Sequence, residues 1–234
     1  YAPGIGILMM PYLLDSYDQL SGLMETDLYK SWVSELRGKG IVLLTANGLT
    51  GWRNWVTNKV ITKPEDLNGL KIRTMGNPIA INSVNAMGAI ATPMAQSEAY
   101  NGIQTKVIDG GEWQIPTIYS SKFYEVCSNI SLSHHFLLTC DMVCGAAWFD
   151  TLSAEQQEQL STSCVQNYKD NQALVLEYEQ KYLDEMIAKG VTVTEPDRDA
   201  FRAATESLYS DPTTTNGADY AALRVELYKQ LGIN

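Results

Sequence analysis

The chain of 234 residues is 45% hydrophobic and carries a formal net charge of −10 at pH 7, which leaves enough apolar side chain to bury a core in one large domain or two modest ones. Its cationic side chains are few and unclustered, which excludes a nucleic-acid binder, because neutralising phosphates needs grouped Lys and Arg. The longest apolar run, residues 4–14, is broken by Pro11 and falls short of the ~20 residues a spanning helix requires, so no direct membrane insertion is expected.

The first residues show no charged segment leading into an apolar stretch and a small-residue cleavage site, so no signal peptide is visible. Tyr1 is not an initiating Met, and the sequence is consistent with a start inside a longer precursor. Further along, residues 41–45 form a short apolar run after Gly38 and Gly40 and read as a strand. The turn-rich residues 63–69 precede a second strand over 71–74. Asn77 is placed to cap a helix over 79–87, with Pro78 in its first turn. A strand over 90–94, a helix capped by Ser97 and running to Lys106, and a turn at Asp109-Gly110-Gly111 complete a repeated strand–helix unit. Strand-like segments follow around Ile130 and over 142–147. Cys127, Cys140, Cys144 and Cys164 form no C-x-x-C pair, which argues against structural zinc or a thioredoxin-like centre. A chain of this size does not depend on disulfides, and free thiols are the expected state.

Residues 153–189 contain neither Gly nor Pro, open with the capping-box pattern Ser153-x-x-Gln156 and close at Gly190, which predicts one helix of about 55 Å. Its apolar residues do not keep a heptad, so a coiled coil is not indicated. A helix longer than a small domain bridges two lobes. The pattern as a whole is α/β, a two-lobe architecture with a long bridging helix and a final helix over 218–231 that packs back on one lobe.

The motifs of common enzyme chemistry are missing. The only two histidines, His134 and His135, are neighbours that point to opposite faces of a strand, so no metal site is expected. No G-x-S-x-G elbow and no phosphate-cradling glycine loop occurs, so neither catalytic residues nor a cofactor are expected. Asp109 and Glu112 read first as a turn with a solvated acid. Two arginines stand out, Arg53 in Gly51-Trp52-Arg53-Asn54-Trp55 and Arg73 in Leu70-Lys71-Ile72-Arg73-Thr74. Alternation with Lys71 is compatible with a solvent-facing Arg73. It is equally compatible with a rigid, planar, two-pronged donor matched to a carboxylate.

The stretch Pro64-Glu65-Asp66-Leu67-Asn68-Gly69-Leu70-Lys71-Ile72-Arg73 resembles the signature of the solute-binding proteins of TRAP (tripartite ATP-independent periplasmic) transporters, the DctP-type family. Ala91-Thr92-Pro93-Met94-Ala95-Gln96-Ser97-Glu98-Ala99-Tyr100, Val107-Ile108-Asp109-Gly110-Gly111-Glu112 and the residues 118–126 resemble family motifs in family order, and Leu152-Ser153-Ala154-Glu155-Gln156-Gln157 is similar to the start of the family's bridging helix. The resemblance implies a periplasmic-binding-protein-like fold whose first lobe lacks its N-terminal part, and a domain deprived of part of its sheet is expected to be weakened or to need a partner segment. The implied lobes are 1–50 with 139–178, and 51–138 with 179–234, with hinges near 49–52, near 137–140 and within the long helix.

Carried over by position, the resemblance implies that Arg73 forms the salt bridge to a ligand carboxylate and that Arg53 is a second pocket arginine. Gln96 stands where the family sets a side chain against the ligand. Trp113 follows Glu112 where the common pattern has Asn, which implies a ligand with an apolar or ring face, or else ordinary interlobe packing. Glu112 is the one acid near the arginines in sequence. His135 matches a histidine near the pocket of many relatives, and a satisfied buried histidine fits equally well. The implied function is extracytoplasmic: capture of a small organic acid by lobe closure and delivery to TRAP membrane permease subunits. A sensory module for the same ligands is the alternative, and an enzyme acting on a small acid, with Glu112 as base, is a further one.

Overall fold

The computed structural model describes residues 2–233, apart from the side chain of Asn47. In chain order, α1 (Tyr17–Leu23) and α2 (Asp27–Gly38) lead into β1 (Ile41–Thr57), β2 (Lys71–Thr74), α3 (Pro78–Ala86), β3 (Ile90–Pro93), α4 (Gln96–Gln104), β4 (Gly110–Gln114) and α5 (Ile115–Ser120). Then come β5 (Asn129–Gly145), α6 (Ala146–Phe149), α7 (Ala154–Ala188), β6 (Thr192–Thr194), α8 (Arg198–Thr205), α9 (Pro212–Thr215) and α10 (Tyr220–Leu231). The strands form one sheet in the order β3-β2-β4-β1-β5-β6, the mixed α/β architecture expected.

Its spine is the antiparallel pair β1–β5, 17 residues each, in register from Ile41 opposite Gly145 to Thr57 opposite Asn129. The strand expected over 41–45 is only the first part of β1, and the two segments expected near Ile130 and over 142–147 are one strand. The alternation that marks a strand is obscured because the ladder shifts register four times, including at Leu49/Gly51 and Arg53/Trp55. Such bulges displace side chains from strict period two. Gly51 takes φ +108° at one of them.

The helix starts follow their caps. Asn77 accepts from the Ala80 N–H, with Pro78 in the first turn, and at α7 the Ser153 side chain accepts from Gln156 N while the Gln156 side chain accepts from Ser153 N. At 35 residues, α7 is about 52 Å long and ends at Gly190, φ +93°. Ser97 does not cap: the cap is Ala95, two residues earlier, and it makes no side-chain cap hydrogen bond.

Adjacent β1 residues feed opposite sides of the sheet. Trp55 joins Ile61, Leu67, Ile72 and Phe201 on one side, and Val56 joins Ile103, Trp113, Ile118 and Phe123 on the other. Ile72 and Phe201 are fully buried, each contributing about 1.5–3 kcal/mol. A third cluster packs Ile7, Leu23, Trp32 and Leu49 with Tyr220 and Leu227. The C-terminal helix α10 therefore rests on α1, α2 and the turn Pro3–Met9. Its side chains Tyr220 and Leu227 complete the core under Trp32 and Leu23, and the Tyr220 hydroxyl donates to Pro3 O (3.0 Å).

Candidate functional site

β2 carries Arg73 at its third position, paired in parallel register with Gly111 of β4 and Thr92 of β3. In-register neighbours share a face of the sheet, so Arg73, Gly111 and Trp113 lie on one side and Thr74 and Glu112 on the other. Antiparallel pairing of Arg53 with Gln114 sets Arg53 on the Glu112 side. Register thus sends the two arginines to opposite faces.

On the Glu112 face a buried network closes on itself. Arg53, 3% exposed, donates through Nε to Glu112 Oε2 and through Nη2 to Glu112 Oε1 (2.7 Å) and to the Glu112 carbonyl. Thr74 Oγ1 donates to Glu112 Oε1 (2.9 Å). His135 Nε2 stands 3.5 Å from Glu112 Oε2, long for a hydrogen bond, and the ring stacks on Trp55 at 4.4 Å. Ser133 Oγ lies 2.7 Å from His135 Nδ1. Burial alone would raise the Glu112 pKa, but the Arg53 charge and its hydrogen bonds, with His135 facing the carboxylate, outweigh it and hold the group down to about 2. Burial lowers the His135 pKa against the pull of Glu112.

The solvated turn acid expected at Glu112 is therefore a buried strand residue. Asp109-Gly110-Gly111 is not a free turn because β4 is held between β2 and β1. Its glycines are required by contact: a Cβ on Gly110 would meet Val56 O, and one on Gly111 would meet the Trp113 ring.

On the other face Arg73 is 6% exposed. Its Nε donates to Met94 O (3.0 Å), and its guanidinium carbon lies 5.5 Å from the centre of the Trp113 ring. Burial, together with the Arg53 charge, draws its pKa below the ordinary value despite Glu112. Among the described residues no carboxylate ion-pairs with it. Trp113 is fully buried, stacked on Phe123 at 4.0 Å, and its indole N–H has no partner. With Phe123 on one side and Arg73 over the ring, Trp113 packs inside the core. Gln96 is exposed at the start of α4, with Nε2 3.5 Å from Ser121 Oγ. It follows closely on Met94, whose carbonyl Arg73 holds. The structure thus brings Arg53, Glu112 and His135 together on one face and Arg73 with Trp113 on the other, with Gln96 outside both contacts.

Sequence reasoning missed Thr74, Ser133 and the Met94 carbonyl. Ser133 and His135, two apart on a strand, carried a signal. The other two are set by neighbouring strands and by a loop. Also missed is Glu179 of α7, which accepts from the Tyr17 hydroxyl (2.7 Å) and from Trp52 N (3.1 Å). A Cβ on Gly51 would sit 2.5 Å from its carboxylate oxygen. A cavity of about 1000 Å³ between the turn Pro3–Met9, the Leu43 and Val143 face of β1–β5, and α9 contains none of the six candidate residues. Its lining is mainly apolar and includes Asp141, whose pKa burial raises.

Residues 1–215 match the family described as bacterial extracellular solute-binding protein, family 7. The 2,3-diketo-L-gulonate-binding periplasmic protein YiaO of Escherichia coli K12 is 37% identical over 209 residues, 87% of this chain and 62% of the relative. A TRAP periplasmic solute-binding protein from Citrobacter koseri with bound D-glucuronate superposes with a TM-score of 0.84 at 31% identity, over 96% of this chain and 74% of that one. One from Desulfovibrio salexigens in complex with diglycerolphosphate gives 0.90 at 32%, over 98% and 74%. The chain spans about three fifths of the length of the Escherichia coli relative. No helix among the described residues is long and apolar enough to cross a membrane. With its sheet, its bridging helix and nearly all its sequence accounted for in this way, the chain belongs to the DctP-type bacterial extracellular solute-binding proteins, family 7.

Proposed function

We propose that this chain captures a small organic carboxylate in the periplasm, with Arg73 as the group that binds it, for delivery to a TRAP permease. The observation that carries the reading is the pairing asymmetry: Arg53 is neutralised by Glu112, whereas Arg73 is just as buried without a carboxylate. An unpaired buried charge is costly, and a ligand carboxylate arriving with two acceptor oxygens relieves that cost through charge-assisted hydrogen bonds of about 1.5–3 kcal/mol each. Acids bound by relatives, diketogulonate and glucuronate among them, support this class. Arg53, Glu112 and His135 then act as positioning residues that fix β4 and β1 behind the site. Movement of the lobes about residues 49–52 is part of the same reading, and the register shifts there, with Glu179 spanning Tyr17 and Trp52, support it.

An enzymatic role needs a base that titrates near neutrality. Glu112, the candidate, is held near 2 by Arg53 and fully enclosed, which favours a receptor. The test is a thermal-shift screen of uronic, aldonic, keto and aromatic acids against wild type and Arg73→Ala. At 100 times its dissociation constant a ligand adds about 2.7 kcal/mol, roughly 5–10 °C here. A shift in wild type that vanishes in Arg73→Ala supports the reading, and an equal shift in both proteins removes Arg73 from the site.

A further inference from the structure

We propose that Met142, Cys144 and Cys164 form a binding site for one soft monovalent cation, Cu(I), between β5 and α7. Strand alternation sets Met142 and Cys144 on one face of β5, while Val143 between them lines the cavity of about 1000 Å³ on the other. The face they share packs on α7, where Leu160 and Cys164, one helical turn apart, belong to the same cluster. Cys164 is 5% exposed there, and its Sγ stands 3.1 Å from Met142 Sδ. Cys144 packs against this cluster within electrostatic reach of Cys164 and of Arg37. It is partly exposed, which gives an ion a way in.

Two thiols and a thioether are a donor set with a definite preference. Thiolate and thioether sulfur select soft ions such as Cu(I), whereas Ca²⁺ and Mg²⁺ take oxygen. Zn²⁺ calls for four ligands from Cys, His or carboxylate, and among the described residues no group of three His, Cys, Asp or Glu is gathered that could hold a metal ion. A trigonal site with metal–sulfur bonds of about 2.3 Å sets its sulfurs about 4 Å apart, a spacing within the range of the three rotatable bonds of Met142. Leu44, Phe149, Leu152 and Leu160 surround the sulfurs with carbon, which suits a singly charged ion with few ligands and opposes a hydrated divalent one. Binding exchanges two thiol protons for one Cu(I), so the loaded site carries one negative charge. The Arg37 charge, shared with Asp150, acts on Cys144 in the sense that stabilises it.

The test is anaerobic titration of the reduced 234-residue chain with Cu(I) against the competing chelator bicinchoninate, in wild type, Met142→Leu, Cys164→Ala and Cys140→Ser. Met142→Leu conserves volume and leaves every thiol in place, so it separates ligation from folding. Cys140 is an exposed thiol on the same strand, and its replacement controls for copper taken up by any free thiol. The expected result is one Cu(I) held in Cys140→Ser as tightly as the tighter-bound ion of wild type, with binding at least about tenfold weaker in Met142→Leu and weaker again in Cys164→Ala. X-ray absorption of the loaded Cys140→Ser protein should show a shell of sulfur alone around the copper. No copper retained against the chelator, equal affinity in wild type and Met142→Leu, or loss of binding in Cys140→Ser overturns the site.

Discussion

Arg53 and Arg73 are both buried on neighbouring strands, yet the two faces of the sheet treat them in opposite ways. On one face Arg53 meets the Glu112 carboxylate, which also accepts from the Thr74 hydroxyl and faces the His135 ring. On the other Arg73 meets a backbone carbonyl and an indole ring. The side chains are chemically identical, so the difference lies in what register and neighbouring strands bring beside them. Arg53 has its counter-charge beside it, and Arg73 is buried without one.

The sharpest way to break this comparison is to remove the partner on the sealed face. Glu112→Ala strands Arg53 without its carboxylate, and a loss of about 3–5 kcal/mol is expected in urea denaturation. A loss below 1 kcal/mol would mean that the network is looser than its geometry.

Acid should act on the same face, more gradually. Glu112 has a folded pKa of about 2 against an ordinary 4.5, so its contribution is fully present above pH 4.5 and is lost as the pH falls towards 2. His135 is also depressed, by burial, so its contribution is present above its ordinary 6.5 and declines below it. Denaturation free energies measured from pH 7 to 2 should therefore fall as the pH drops, and the fall below pH 4.5 should be smaller in Glu112→Gln.

The smallest effect is expected on the Arg73 face. Arg73→Met removes an unpaired charge and keeps an apolar stem on Trp113, so stability without ligand should stay within about 1 kcal/mol of wild type. A large loss would place Arg73 in the framework and erase the contrast between the faces.

Much of the architecture was legible because its signals are local. Asn77-Pro78, Ser153 with Gln156 and Gly190 fix helix ends through side chains a few residues away, and the long uninterrupted segment announced α7. Arg53 and Arg73 also stood out in sequence. What was not legible depended on contacts far along the chain. β4 hid behind Asp109-Gly110-Gly111 because those glycines answer to Val56 and Trp113 rather than to a turn. The full lengths of β1 and β5 hid behind bulges, and the seat of α10 depended on Trp32 and Leu23 across the whole chain.

By itself, then, the sequence determined the α/β alternation, the caps, the bridging helix and the resemblance that singled out Arg73, since periodicity and capping act over one turn or one strand. Only the tertiary structure decided that Glu112 is buried, that it neutralises Arg53 and leaves Arg73 unpaired, and that Trp113 lies inside the core. Pairing of charges in a sheet depends on register between strands brought together from distant parts of the chain, and no local pattern encodes that.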